Sequence, residues 1–155
     1  SCCTQRRTSF SIAAASSGDA IDRLWTRFDE NAIPALVQQG KTVFVDVTAE
    51  WCLTCRVNKS LVLNRDRVTA ALSGRNVVAM QADWTRPDPA IAAFLARHQR
   101  YGIPFNAVFG PGVPKGVLLP ELLTEQAVLD AIAEAVGGGV SAARKGAAIG
   151  QERIP

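Results

Sequence analysis

Val43-Phe44-Val45-Asp46-Val47-Thr48-Ala49-Glu50-Trp51-Cys52-Leu53-Thr54-Cys55 is the stretch on which the reading of this chain turns. An apolar run of strand character, Val43 to Val47, leads directly into two thiols separated by two residues, and the apolar spacing behind them turns helical. Cysteines at this spacing can close a small disulfide ring. At a helix start, the unpaired backbone N–H groups and the positive end of the dipole favour thiolate over thiol. The pattern reads as a redox centre with Cys52 as the nucleophile.

Other uses of a Cys-x-x-Cys pair need support from elsewhere in the chain. Structural zinc needs a second ligand pair, yet Cys2 and Cys3 are adjacent near the N-terminus and the single histidine, His98, sits far along in a helical stretch. Neither supplies tetrahedral ligand spacing. A structural disulfide stabilises most when it closes a long loop, and this one would close a very short one. A Cu(I)-binding module is the alternative from another class, since soft thiolates suit that ion. Against it, Met80 is the only methionine.

With 155 residues, 48% of them hydrophobic, the chain can bury one packed core. The net charge of +3 is small and the basic residues are interspersed with acidic ones, which argues against a nucleic-acid surface. No apolar run approaches the roughly 20 residues that span a bilayer, so the chain as given reads as soluble. It starts at Ser1 without a methionine, and Ser9 to Ser17 is too polar for a secretory signal, so it is read as a processed product or an excised domain.

The organisation follows from periodicity and punctuation. Residues 1–22 read as a linker or tail, 23–137 as the domain, and 138–155 as a flexible C-terminal tail. An edge strand is expected near Trp25. A helix carrying Ile33, Leu36 and Val37 follows, capped by Asp29 or Asn31 and ended by Gly40. Thr42–Thr48 is the first central strand. The helix after the cysteines should carry Val57, Leu61 and Val62, bend or break around Asn64, and stop at Gly74. Val77–Ala82 is the next strand, and Asp88 caps a helix with Pro89 at its first position. Residues 103–109 form a strand, 110–116 the hairpin turn and Val117–Leu119 its partner, and Thr124 opens the last helix. The order is β-α-β-α-β-α-β-β-α, an α/β architecture.

That order, with Asp46 six residues before Cys52 and a proline at Ile103-Pro104, resembles the thioredoxin fold, a central mixed β-sheet flanked by helices. The chain more closely resembles the C-terminal periplasmic domain of the DsbD family of thiol:disulfide interchange proteins, including relatives linked to copper tolerance. The residues carrying the likeness are Val45 to Asn58, Ala82-Asp83-Trp84-Thr85, and Tyr101-Gly102-Ile103-Pro104-Phe105. The resemblance implies a protein-disulfide reductase that uses no cofactor beyond its own Cys52–Cys55 disulfide. It implies electrons received from a membrane-embedded domain of the same polypeptide and passed to periplasmic disulfide-containing proteins. An oxidase or isomerase of the same fold differs only in reduction potential, which sequence does not fix. Lys59 stands where some members carry a second carboxylate, and a cation there favours thiolate.

Within this reading, Cys52 attacks the substrate disulfide and Cys55 resolves the mixed disulfide, with Cys52 the exposed partner and Cys55 the buried one. Asp46, inside an apolar strand, is the expected proton acceptor for Cys55. The resemblance implies a cis bond at Pro104, which would leave the backbone of Ile103 free to pair with an extended substrate segment. Trp51 is expected as an exposed platform beside the disulfide, Glu50 as a surface carboxylate, and His98, Trp84 and Tyr101 as packing residues.

Overall fold

A computed structural model describes residues 17–137. The expectations for residues 1–16 and 138–155, including Cys2 and Cys3, lie outside the described residues.

Strand β2 (Thr42–Thr48) is the axis of the fold, with six of its seven residues buried. It pairs in parallel with β3 (Val77–Asp83) and antiparallel with β4 (Phe105–Gly110). A short β1 (Trp25–Arg27) adds to β3 in parallel and β5 (Val113–Leu118) to β4 antiparallel, giving a mixed sheet of order β1-β3-β2-β4-β5. The helices are α1 (Ser17–Leu24), α2 (Ile33–Gln38), α3 (Leu53–Asn58), α4 (Asp66–Leu72), α5 (Pro89–Arg97) and α6 (Glu125–Val136).

The period of two along β2 divides its side chains between the two faces of the sheet. Val43, Val45 and Val47 face Ile33 of α2 and Ile91, Phe94 and Leu95 of α5. Phe44 points the other way, with Ala79 and Val108, into a core built by Val62, Leu63, Val68, Leu72, Val128 and Ile132. The same alternation puts Asp46 on this second face. It lies level with Gln81 of β3 and Asn106 of β4. The result is a polar row across three strands, one step beyond the apolar row of Phe44, Ala79 and Val108.

Local chemistry sets the helix ends. The Asp88 carboxylate accepts from the N–H groups of Ala90 and Ile91, with Pro89 opening α5. Thr124 Oγ1 accepts from Ala127 N–H at the start of α6, and Gly137, at φ 75°, closes it.

Three local expectations are corrected. Residues 17–22, read as part of a linker, belong to α1, and Leu24 at its end packs against the core. The sequence signal was outweighed by this tertiary contact. The hairpin turns on Pro111 and Gly112 alone, so Pro114, Lys115 and Gly116 lie within β5. Pro114 is tolerated there because β5 is an edge strand. Gly116, at φ 89°, marks a close approach: a Cβ there would stand 2.5 Å from the Phe109 ring. Finally, the helix after the cysteines, expected to bend or break around Asn64, changes character already at Lys59, and Val57 and Leu61 along it face solvent, 45% and 56% exposed. The helix widens into a π-turn over Lys59–Leu63, closed by Asn64 N–H donating to the Lys59 carbonyl at 2.8 Å. The wide turn brings Val62 and Leu63 to the core together.

Candidate active site

The cysteines form a disulfide, Cys52 to Cys55, where β2 passes into α3. Cys52 is the N-cap residue of α3, and its Sγ accepts the Cys55 N–H at 3.2 Å. The turn before it is tied to the loop after β3: Glu50 N–H donates to Thr85 Oγ1 at 3.0 Å and Trp51 Nε1–H donates to the Thr85 carbonyl at 3.3 Å. Arg56 closes over the turn from the helix side, donating to the Glu50 carbonyl at 2.7 Å.

Contrary to the expected contrast, both cysteines are buried in the disulfide state, Cys52 at 6% exposure and Cys55 at 5%. Both pack with Ala49 and against Ile103, whose side chain covers the pair. The Ile103–Pro104 peptide is cis. No backbone hydrogen bond joins Ile103 to the described residues.

Trp51 is 62% exposed. With Trp84, Pro87, Pro89, Tyr101 and Gly102 it lines an apolar groove of about 580 Å³. Tyr101, expected to pack, is instead 80% exposed along that groove. Trp84 does pack, against the core under α5, and Glu50 is exposed. His98 rests against the rings of Phe94, Phe105 and Phe109, and its burial there pushes its pKa down.

Behind Cys55 lies a second, polar cavity of about 260 Å³, walled by Cys55, Thr48, Gln81 and Lys59 and bordered by Glu50, Arg56 and Asp83. Asp46, 5% exposed, does not line this cavity but is joined to it through Gln81. Its Oδ1 accepts from Asn106 Nδ2 at 2.8 Å and its Oδ2 from Gln81 Nε2 at 3.3 Å. Burial raises its pKa above the ordinary aspartate value, while the two amides and the Lys59 charge pull it back only in part.

Sequence reading missed the amides. Asn58 is buried, donating through Nδ2 to the Glu121 carbonyl at 2.7 Å and accepting from Leu123 N–H at 3.0 Å, which fastens the active-site helix to the segment before α6. Gln81 and Asn106 were passed over as ordinary strand residues. Each stands at an inward position of an otherwise apolar strand face, the same signal that singled out Asp46.

A five-stranded mixed sheet presenting a Cys-x-x-Cys disulfide at a helix start beside a cis-proline defines a thiol–disulfide oxidoreductase of the thioredoxin fold. The chain belongs to the thioredoxin-like family, whose sequence profile matches residues 24–111. Over 80 residues it is 34% identical to the thiol:disulfide interchange protein DsbD of Ralstonia nicotianae, and over 75 residues 35% identical to DsbD 1 of Pseudomonas aeruginosa. These alignments cover 52% and 48% of this chain but only 13% and 12% of the relatives. Among solved structures, the oxidised C-terminal domain of Neisseria meningitidis DsbD superposes with a TM-score of 0.55 at 20% identity, covering 71% of this chain and 99% of that one. A thioredoxin from Thermus thermophilus gives 0.56 at 19% identity, covering 76% and 91%. The fold and the family resemblance read from the sequence are borne out. No helix among the described residues is long and apolar enough to cross a membrane.

Proposed function

We propose that this chain is a protein-disulfide reductase domain that works in the periplasm, taking electrons from a membrane-embedded part of a longer polypeptide and passing them to disulfide-containing proteins. The observation that carries the reading is the Cys52–Cys55 disulfide, packed against Ile103 and with Cys55 in the wall of a polar cavity whose Gln81 donates to Asp46. The likeness to interchange proteins many times longer than the matched segment supports a donor domain elsewhere in the same protein.

In the reduced protein the Cys52 thiolate attacks a substrate disulfide, forming a mixed disulfide and releasing one substrate thiolate. Cys55 passes its proton to Asp46. The Cys55 thiolate then attacks Cys52 Sγ, the Cys52–Cys55 bond forms, and the second substrate thiolate leaves. Ile103 and Pro104 hold the substrate strand, and Trp51 supports its apolar flank.

The test is the reduction potential of the pair, read by mass spectrometry after equilibration in glutathione buffers. A value near about −270 mV, or a few tens of millivolts above it, fits a reductant, whereas about −120 mV would make the protein an oxidant and overturn the reading.

A further inference from the structure

Asn106 belongs to neither the disulfide nor the substrate edge, yet it is the most enclosed polar side chain beside the site, 2% exposed in the middle of β4. It stands directly across from Asp46 in the antiparallel register, two residues along the strand from Pro104. Its Nδ2 donates to Asp46 Oδ1 at 2.8 Å, while its own Oδ1 is buried with no hydrogen-bond partner. A buried polar atom without a partner costs about 1–3 kcal/mol, and an apolar side chain of similar shape would avoid that cost. An amide retained here therefore calls for an explanation.

We propose that Asn106 is a positioning residue for the proton acceptor, an amide that serves both protonation states of Asp46. Toward the carboxylate it presents Nδ2–H, as in the structure. Once Asp46 has taken the Cys55 proton, the carboxyl group becomes a donor, and a half-turn of the amide brings the unpartnered Oδ1 round to accept its O–H. A cation at this position would pin Asp46 as a carboxylate, and an aliphatic residue would leave the ionised form without its strongest hydrogen bond. The other groups acting on Asp46 are Gln81 from β3, a donor at 3.3 Å, and Lys59 from the π-turn, which acts through charge. The inference rests on the reading of Asp46 as the acceptor for Cys55.

The first experiment uses the unaltered, reduced protein. The Asn106 side-chain NH₂ resonances and the Asp46 carboxyl carbon are followed together by NMR across pH. Expected is a displacement of the Asn106 pair with the same midpoint as the Asp46 carboxyl; an Asn106 pair that stays still through that titration overturns the proposal. The second measurement compares Asn106→Leu. Asp46 should bind its proton about tenfold more tightly once the charge-assisted hydrogen bond is lost, and the pH midpoint of mixed-disulfide resolution should rise with it. An unchanged midpoint in the folded variant overturns the proposal. Asp46→Asn separates the two levels. If its resolution rate keeps the wild-type pH profile, the acceptor reading falls and this inference with it; if that profile flattens while the Asn106 resonances of the unaltered protein stay still, this inference alone falls.

Discussion

Two unlike cavities flank the active-site turn. One is the apolar groove, lined by Trp51, the residue before Cys52, and by Tyr101, with Asp88 as its single charged lining residue. On the Cys55 side lies the smaller cavity, ringed by Glu50, Arg56, Lys59 and Asp83 and backed by the buried Asp46 row. An apolar surface suits docking of an extended chain, while a charged pocket walled by Cys55 suits moving a proton. On the proposed mechanism, the two halves of a disulfide exchange, attack on a partner and release from it, would fall to separate walls of one site.

The largest expected effect tests whether the two sulfurs are as unlike as these cavities. Cys52→Ser should abolish reaction with protein disulfides, whereas Cys55→Ser should react once and accumulate a mixed disulfide detectable by non-reducing electrophoresis. Equal trapping by both variants would erase the distinction.

Next comes Asp46→Asn, which should slow mixed-disulfide resolution at neutral pH about 100-fold or more, the scale of a lost proton acceptor, in single-turnover kinetics. The same variant should melt at a higher temperature than the wild type at pH 7. Folding favours the protonated form of Asp46, because burial raises its pKa above the ordinary 3.8. That contribution is complete below the unfolded value and is lost as pH rises through the folded one. The gap in melting temperature should therefore close as the pH is lowered toward 3.8.

Lys59→Met sharpens the polar side. Lys59 holds the Asp46 pKa down by charge, so its removal should raise that pKa, move the pH profile of resolution to higher pH and reduce the rate at pH 7. An unmoved profile would remove Lys59 from the proton pathway. The smallest effect belongs to the groove. Trp51→Ala should raise KM for a protein disulfide about fivefold, the scale of about 1 kcal/mol for an exposed aromatic contact, with little change in kcat. Reduction of a small disulfide by the same variant should be unaffected, and a parallel loss there would assign Trp51 to the chemistry instead of docking.

The sequence carried the fold where local signals and tertiary packing agree. Thr42–Thr48, the Asp88-Pro89 cap and the Thr124 cap stand where periodicity and capping put them. It misled where one residue type serves two purposes. Gly116 has the look of a turn residue but is required by the Phe109 ring, and Leu61 has the look of core but faces solvent within the widened turn. At the site, Cys52, Cys55 and Asp46 are conspicuous by type, whereas Gln81, Asn58 and Asn106 become visible only when the strand register and the helix face are known. Amides are common on surfaces, and only burial makes these ones informative.

The π-turn at Lys59–Leu63 has one more consequence. It acts as a phase shifter between the helical turn that carries the thiols and the helix beyond it, because one residue amounts to about 100° of rotation. Removing a single residue from this span would keep every side chain chemically intact and yet aim the wrong ones inward, turning Val62 and Leu63 off the core and Lys59 away from the carboxylate it attends. The reach between the reactive sulfurs and the core is thus measured in whole residues, so this stretch should withstand changes of side chain far better than changes of length.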